Sequence, residues 1–88
     1  MNAQFRESFV KDLRKIRDRS MLARVQAAIE TVEAASELTH VAGLKKLRGA
    51  SDCYRIRIGD YRIGIAVKEQ DVVFVRVLNR KDLYRYFP

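Results

Sequence analysis

Residues 54–67, YRIRIGDYRIGIAV, decide the fold. Tyr54, Ile56 and Ile58 alternate with Arg55 and Arg57, and Tyr61, Ile63, Ile65 and Val67 alternate with Arg62, Gly64 and Ala66. A period of two belongs to a half-buried strand. Between the two runs, Gly59-Asp60 supplies a two-residue turn, because glycine accepts the positive φ that a tight hairpin needs. With that loop Ile58 faces Tyr61, Arg57 faces Arg62 and Arg55 faces Gly64. One side of the hairpin is then apolar, carrying Tyr54, Ile56, Ile58, Tyr61, Ile63 and Ile65, while the other collects Arg55, Arg57 and Arg62. Like charges directly opposed across strands cost stability, so structure alone does not select them. An anion does: guanidinium stays ionised, and its planar fork grips phosphate oxygens two at a time. Gly64 opposite Arg55 reads as space for a backbone or base to approach.

Toward the C-terminus, Val72 to Leu78 forms a third β run. Facing Val73, Val75 and Val77 inward keeps Arg76 out of the core and puts Arg80, by parity, on the arginine face; the other register buries Arg76. Tyr84 and Tyr86 follow in a short terminal segment, where an aromatic ring is suited to stacking on an unpaired base. Toward the N-terminus, Glu37 to Asp52 reads as a connecting loop with glycines at 43 and 49 and the basic group Lys45, Lys46 and Arg48. Before it, Leu22, Val25, Ile29 and Val32 recur at helical steps, widened by Met21, Ala28 and Ala35, behind Asp18 or Ser20 as N-cap. Phe9, Leu13 and Ile16 mark a first helix, and Asn2 to Arg6 a short edge strand. The expected fold is α+β: a two-layer βααβββ arrangement with a mostly antiparallel four-stranded sheet, a helical hairpin on one face and a short C-terminal segment.

At 88 residues the chain builds one domain, residues 1–88. A hydrophobic share of 48% with 33% charged residues excludes disorder and fibrous repeats. No apolar run reaches the about 18–20 residues of a membrane span, and the N-terminus has no apolar signal region, so the expectation is a cytoplasmic protein without membrane contact. Cys53 is the only cysteine and cannot bridge within the chain; His40 is the only histidine. Without a second ligand at metal spacing, neither a metal site nor a cofactor is expected. Charge is unevenly spread: residues 1–44 hold seven lysines and arginines against six carboxylates, whereas residues 45–88 hold eleven against five. One-sided basicity with a pI near 10.0 points to nucleic acid as partner.

LKKLRGASDCYRIRIGDYRIGIAV, with the helical pair before it and VFVRVLNRKDLYRYFP after it, resembles the RelE branch of the RelE/ParE superfamily of bacterial toxins over essentially the whole chain. The most specific parts are Leu47-Arg48-Gly49, Asp52 to Arg57, Asp60-Tyr61-Arg62, and Asn79-Arg80 with Tyr84 behind. The resemblance implies an enzyme that enters the ribosomal decoding site and cleaves the messenger without a metal, leaving a 2',3'-cyclic phosphate and a 5'-hydroxyl. It assigns Arg55 and Arg57 to activation of the 2'-hydroxyl and to phosphate binding, Arg62 to charge on the phosphorane, Arg80 to the leaving 5'-oxygen and Tyr84 to the base. Tyr86 remains a second candidate for the base contact, and the general base stays open, because a guanidinium holds its proton too tightly to act as one. Lys45, Lys46 and Arg48 resemble the basic loop that contacts ribosomal RNA, and Arg76 is grouped with them as RNA-binding. A cognate, RelB-like antitoxin with an acidic toxin-binding segment is implied as partner, beside ribosome and mRNA. The competing expectations are a ParE-like inhibitor of DNA gyrase and a non-catalytic RNA- or ribosome-binding module.

Overall fold

The computed structural model describes residues 1–49 and 51–88. Along the chain run β1 (Asn2–Phe5), α1 (Glu7–Arg14), α2 (Arg19–Ala34), a 3-10 turn (Leu38–His40), β2 (Leu44–Lys46), β3 (Cys53–Ile58), β4 (Tyr61–Lys68), β5 (Asp71–Asn79) and α3 (Leu83–Tyr86). The strands form one sheet in the order β1-β5-β4-β3-β2. β1 lies parallel to β5 and every other pairing is antiparallel. The α+β class agrees with the sequence reading, and the central hairpin has the derived register: Ile58 opposite Tyr61, Arg57 opposite Arg62, Arg55 opposite Gly64. Gly59 holds φ +54 at the first turn position, where an L side chain is strained.

Two expectations need correction. Among the described residues the sheet has five strands, because Leu44–Lys46, read as loop, pairs with Ile56, Arg55 and Tyr54 of β3. Three residues are too few to show a period of two; the free edge of β3 organises them. β5, in turn, follows neither single facing. Ile63 pairs with Val77 and Gly64 with Arg76, but Ile65 then pairs with Phe74, so Val75 is an extra residue on β5. Such a bulge reverses the parity of everything beyond it. Val72 and Phe74 are buried ahead of it and Val77 behind it, whereas Val75 turns to the opposite face.

The helices cover the apolar face. Asp18 caps α2, its carboxylate accepting from the Ser20 and Met21 N–H groups at 2.9 and 3.3 Å, which satisfies donors that the first turn leaves free. Phe9, Ile16, Met21, Val25 and Val32 form one core with Ile56, Ile58, Ile63, Ile65, Val72, Phe74 and Val77. Phe9 and Phe74 pack tilted with ring centroids 5.5 Å apart. Because β1 stops at Phe5, β5 beyond Phe74 has a bare edge, and α1 satisfies it. The Ser8 hydroxyl donates to the Val75 carbonyl at 2.6 Å, and the Val77 N–H donates to the buried Asp12 carboxylate at 3.1 Å. An open strand edge of this kind is otherwise a template for unwanted pairing.

The opposite face is not bare. Leu83 and Phe87, at either end of α3, are buried against Leu47, with Cys53 and Val75 at the margin. Gly64 is required here: a Cβ on it would sit 2.6 Å from Cδ2 of Phe87. The space expected to admit a base or backbone over Gly64 is filled by the protein's own aromatic ring.

Candidate anion site

The same strand register that buries the isoleucines brings the arginines together beside α3. Arg57 and Arg62 are direct cross-strand neighbours. Arg62 folds toward the turn, Nη1 donating to the Gly59 carbonyl at 2.6 Å and to the Tyr61 carbonyl at 2.9 Å. Arg55 Nη1 donates to the Gly43 carbonyl at 2.6 Å, which also accepts the Arg57 backbone N–H at 3.0 Å. Gly43, at φ +78, lies so near the Arg57 carbonyl that a Cβ would come within 2.9 Å of it. Sequence reasoning misses this glycine as part of the site; its position two residues before Lys45 is the only signal the sequence carries.

Electrostatics tie the cluster into one field. Loss of water contact, then the positive charges of Arg55 and Arg57, hold the Arg62 guanidinium below its ordinary range; Tyr84 opposes this and Arg80 adds to it. Arg80 reaches this end of the sheet because its backbone N–H donates to the Asp60 carbonyl at 2.8 Å, beside the hairpin turn. Neither ion pair among the described residues, Lys11 with Glu7 or Arg76 with Asp12, involves the cluster. Arg55 Nε is buried with no hydrogen-bond partner among those residues, a cost of about 1–3 kcal/mol for a buried polar group. Positive charge thus accumulates without a counter-ion among the described residues, which is what an anionic ligand supplies.

The chain resembles known proteins in both sequence and fold. A family model described as the ParE toxin of type II toxin-antitoxin system, parDE, matches residues 3–84. Toxin RelE3 of Methanocaldococcus jannaschii is 39% identical over 89 residues, covering all of both chains. The chain belongs to the RelE/ParE toxins of type II toxin-antitoxin systems. The toxin's fold agrees: a chain of the RelB-RelE antitoxin-toxin complex from Methanococcus jannaschii superposes with a TM-score of 0.82 at 39% identity, covering 97% of this chain and 99% of that one. The isolated RelE toxin of E. coli, at 24% identity, shares the fold with a TM-score of 0.67 over 89% of this chain and 82% of its own.

On the toxin, the remaining residues singled out from sequence fall into two groups. Lys45, opposite Arg55 on β2, joins Lys46, Arg48, Tyr84 and Phe87 in lining a groove of about 310 Å³ between the basic segment and α3. Tyr84 is 59% exposed and belongs both to this groove and to the field around Arg62. Arg76 and Tyr86 stand apart. The Arg76 guanidinium, expected with the RNA contacts, turns instead to Asp12 of α1, Nε to Oδ2 at 2.7 Å and Nη2 to Oδ1 at 2.9 Å. Its hydrogen bonds to Asp12 raise its pKa, and the Tyr86 ring lies 5.2 Å from its Cζ. Cys53 sits among apolar neighbours, where burial, followed by the charge of Asp52 and a hydrogen bond to it, raises its thiol pKa. His40 is exposed in the 3-10 turn, and among the described residues no three His, Cys, Asp or Glu side chains gather at metal-binding distance. No helix among them is long and apolar enough to cross a membrane.

Proposed function

We propose that this toxin is a metal-independent endoribonuclease that cuts messenger RNA on the ribosome, with Arg55, Arg57, Arg62, Arg80 and Tyr84 as its site. The observation that supports the reading is the register that sets Arg57 directly opposite Arg62, with Arg55, Arg57 and Arg80 all adding positive charge at Arg62 and no carboxylate of the described residues in an ion pair with them. Opposed cations destabilise the sheet, and a scissile phosphate removes that penalty when it binds. In the reaction the messenger's own 2'-hydroxyl attacks the adjacent phosphorus in line, the bond from phosphorus to the 5'-oxygen breaks, and the products are a 2',3'-cyclic phosphate and a 5'-hydroxyl. Arg62 neutralises charge developing on the phosphorane. Arg80 places positive charge beside the leaving 5'-oxygen, which takes its proton from solvent. Arg55 and Arg57, as guanidinium cations, stabilise negative charge on the attacking oxygen while its proton passes to solvent. Tyr84 stacks on the neighbouring base. Without an imidazole or a carboxylate pair, the site depends on the ribosome to align the 2'-oxygen, so the free protein cuts RNA poorly.

Lys45, Lys46 and Arg48 extend the cationic surface toward ribosomal RNA. A RelB-like antitoxin is the cognate partner, supported by the solved complexes of archaeal relatives with RelB, and its acidic segment neutralises the same arginines. Cytoplasmic location follows from the ribosomal target. The test is cleavage of ribosome-bound messenger by purified toxin that has been treated with EDTA and desalted before it meets the ribosomes, mapping cut sites by primer extension and identifying the end groups. Arg62→Ala and Arg80→Ala should each abolish cutting while leaving the circular dichroism spectrum unchanged; full cutting by both variants would overturn the site. The matching family model is described by ParE, which favours gyrase as the second reading. A supercoiling assay run alongside separates the two, since inhibition of gyrase with intact messenger assigns the protein to that class.

A further inference from the structure

We propose that Asp12 and Arg76 are positioning residues: together with Tyr86 they form a clasp around the edge of the sheet that sets the orientation of α3, and through it the Tyr84 ring. The proposal rests on the ribonuclease reading above and concerns residues outside the arginine cluster.

α3 has little to hold itself in place. It is a single turn, Leu83–Tyr86, and no side chain caps its N-terminus; a helix this short has no stability of its own. Leu83 and Phe87, four residues apart, pin one side of it to the sheet. That contact fixes how close α3 lies, but a pair of apolar side chains leaves rotation about their line weakly determined. Tyr84 and Tyr86 project from the two flanks, roughly opposite one another, because two residues along a helix subtend about 200°. One flank lines the groove beside Lys45, Lys46 and Arg48; the other meets Arg76.

Arg76 is itself fixed. It sits just past the bulge of β5, opposite Gly64, and both arms of its guanidinium engage the Asp12 carboxylate at 2.7 and 2.9 Å. Asp12 is 4% exposed and is locked by a third bond, from the Val77 N–H. A bidentate pair of this kind fixes the plane of the guanidinium as well as its position. The Arg76 Cζ lies over the Tyr86 ring, 5.2 Å from its centroid, a cation–π contact. Orientation thus passes from α1, around the β5 edge, to the flank of α3 opposite Tyr84. Leu83 and Phe87 set the height of α3, and Tyr86 sets its rotation.

Three variants test this: Arg76→Lys, which keeps the charge but loses the fork; Tyr86→Leu, which loses the ring at a 54% exposed position and so leaves the fold intact; and Tyr86→Phe, which keeps the ring. In the free protein, the Tyr84 ring resonances should shift in the NMR spectra of Arg76→Lys and Tyr86→Leu and stay in place in Tyr86→Phe. On ribosomes, the first two should lower the maximal cleavage rate by about ten- to a hundredfold, as expected of a displacement near 1 Å. The ribosome concentration at half-maximal rate should stay constant, and Tyr86→Phe should cleave as the parent does. Unmoved Tyr84 resonances in both Arg76→Lys and Tyr86→Leu overturn the proposal, as does a raised half-maximal concentration with an unchanged maximal rate, which would make Arg76 a direct RNA contact. If the parent protein itself leaves messenger intact, the ribonuclease reading fails, while the NMR comparison still decides the clasp.

Discussion

Replacing Gly64 with alanine puts the packing of the arginine face to a quantitative test. The added Cβ would lie 2.6, 2.7 and 2.9 Å from Cδ2, Cγ and Cε2 of Phe87, whereas carbon atoms in contact prefer about 3.5–4.0 Å. The ring must therefore retreat by about 1 Å. It has little freedom to do so, since Phe87 is 4% exposed and Leu83 beside it is 0% exposed. Overpacking of this kind costs about 1–3 kcal/mol. Against that stands a gain of about 0.5–1 kcal/mol, because alanine loses less backbone entropy than glycine on entering a strand. The net expectation is a loss of up to about 2.5 kcal/mol, which for a chain of this size lowers Tm by about 4–8 °C per kcal/mol. The assay is a double-mutant cycle by urea denaturation over the parent, Gly64→Ala, Phe87→Ala and the double variant. Phe87→Ala alone should cost up to about 3–5 kcal/mol. With the ring gone, however, the Gly64→Ala substitution should become neutral or stabilising, so the two sites couple by more than about 1 kcal/mol. A Gly64→Ala change that costs the same with and without Phe87 would refute the reasoning, as would one that stabilises the protein with Phe87 in place.

Further outcomes follow from the same structure. Arg57→Gln should raise stability at low salt by about 0.2–1 kcal/mol by removing a like-charge cross-strand pair, and the gain should vanish near 1 M salt, where screening acts within about 3 Å; thermal melts at two ionic strengths decide it. Glu69 occupies the β4–β5 turn at φ 56, so Glu69→Gly should stabilise by about 0.5–1 kcal/mol, relief of left-handed strain exceeding the added chain entropy; an unchanged urea midpoint would argue against strain there. Asp18 is held below its ordinary 3.8 by the Ser20 hydroxyl first, then by the Met21 and Ser20 N–H groups. A carboxylate lowered in the folded state stabilises above its unfolded pKa, and that contribution is lost as pH falls through the folded value. Asp18→Ala should therefore lower Tm at pH 7 and converge on the parent well below pH 3.8; parallel Tm curves across the acid range would contradict the capping role.

The alternation from Tyr54 to Val67 by itself determined the central hairpin, its register and the buried face, because a two-residue turn leaves strand partners no freedom and a period of two sorts every side chain. It determined as well that Arg57 and Arg62 stand opposite each other, and the helical spacing from Phe9 to Val32 determined what covers the isoleucines. These are local rules, legible one residue at a time. Tertiary structure alone decided the rest. The bulge at Val75 reverses the facing of β5 midway, so no single parity could place Val72, Phe74 and Val77 together; it arises where two strands of unequal count meet. β2 exists only because β3 offers it an edge. Phe87 fills the space over Gly64, and Asp12 takes Arg76 away from the arginines. In both cases the partners lie far apart in the chain, and periodicity carries no information about which distant side chain fills a gap or claims a charge.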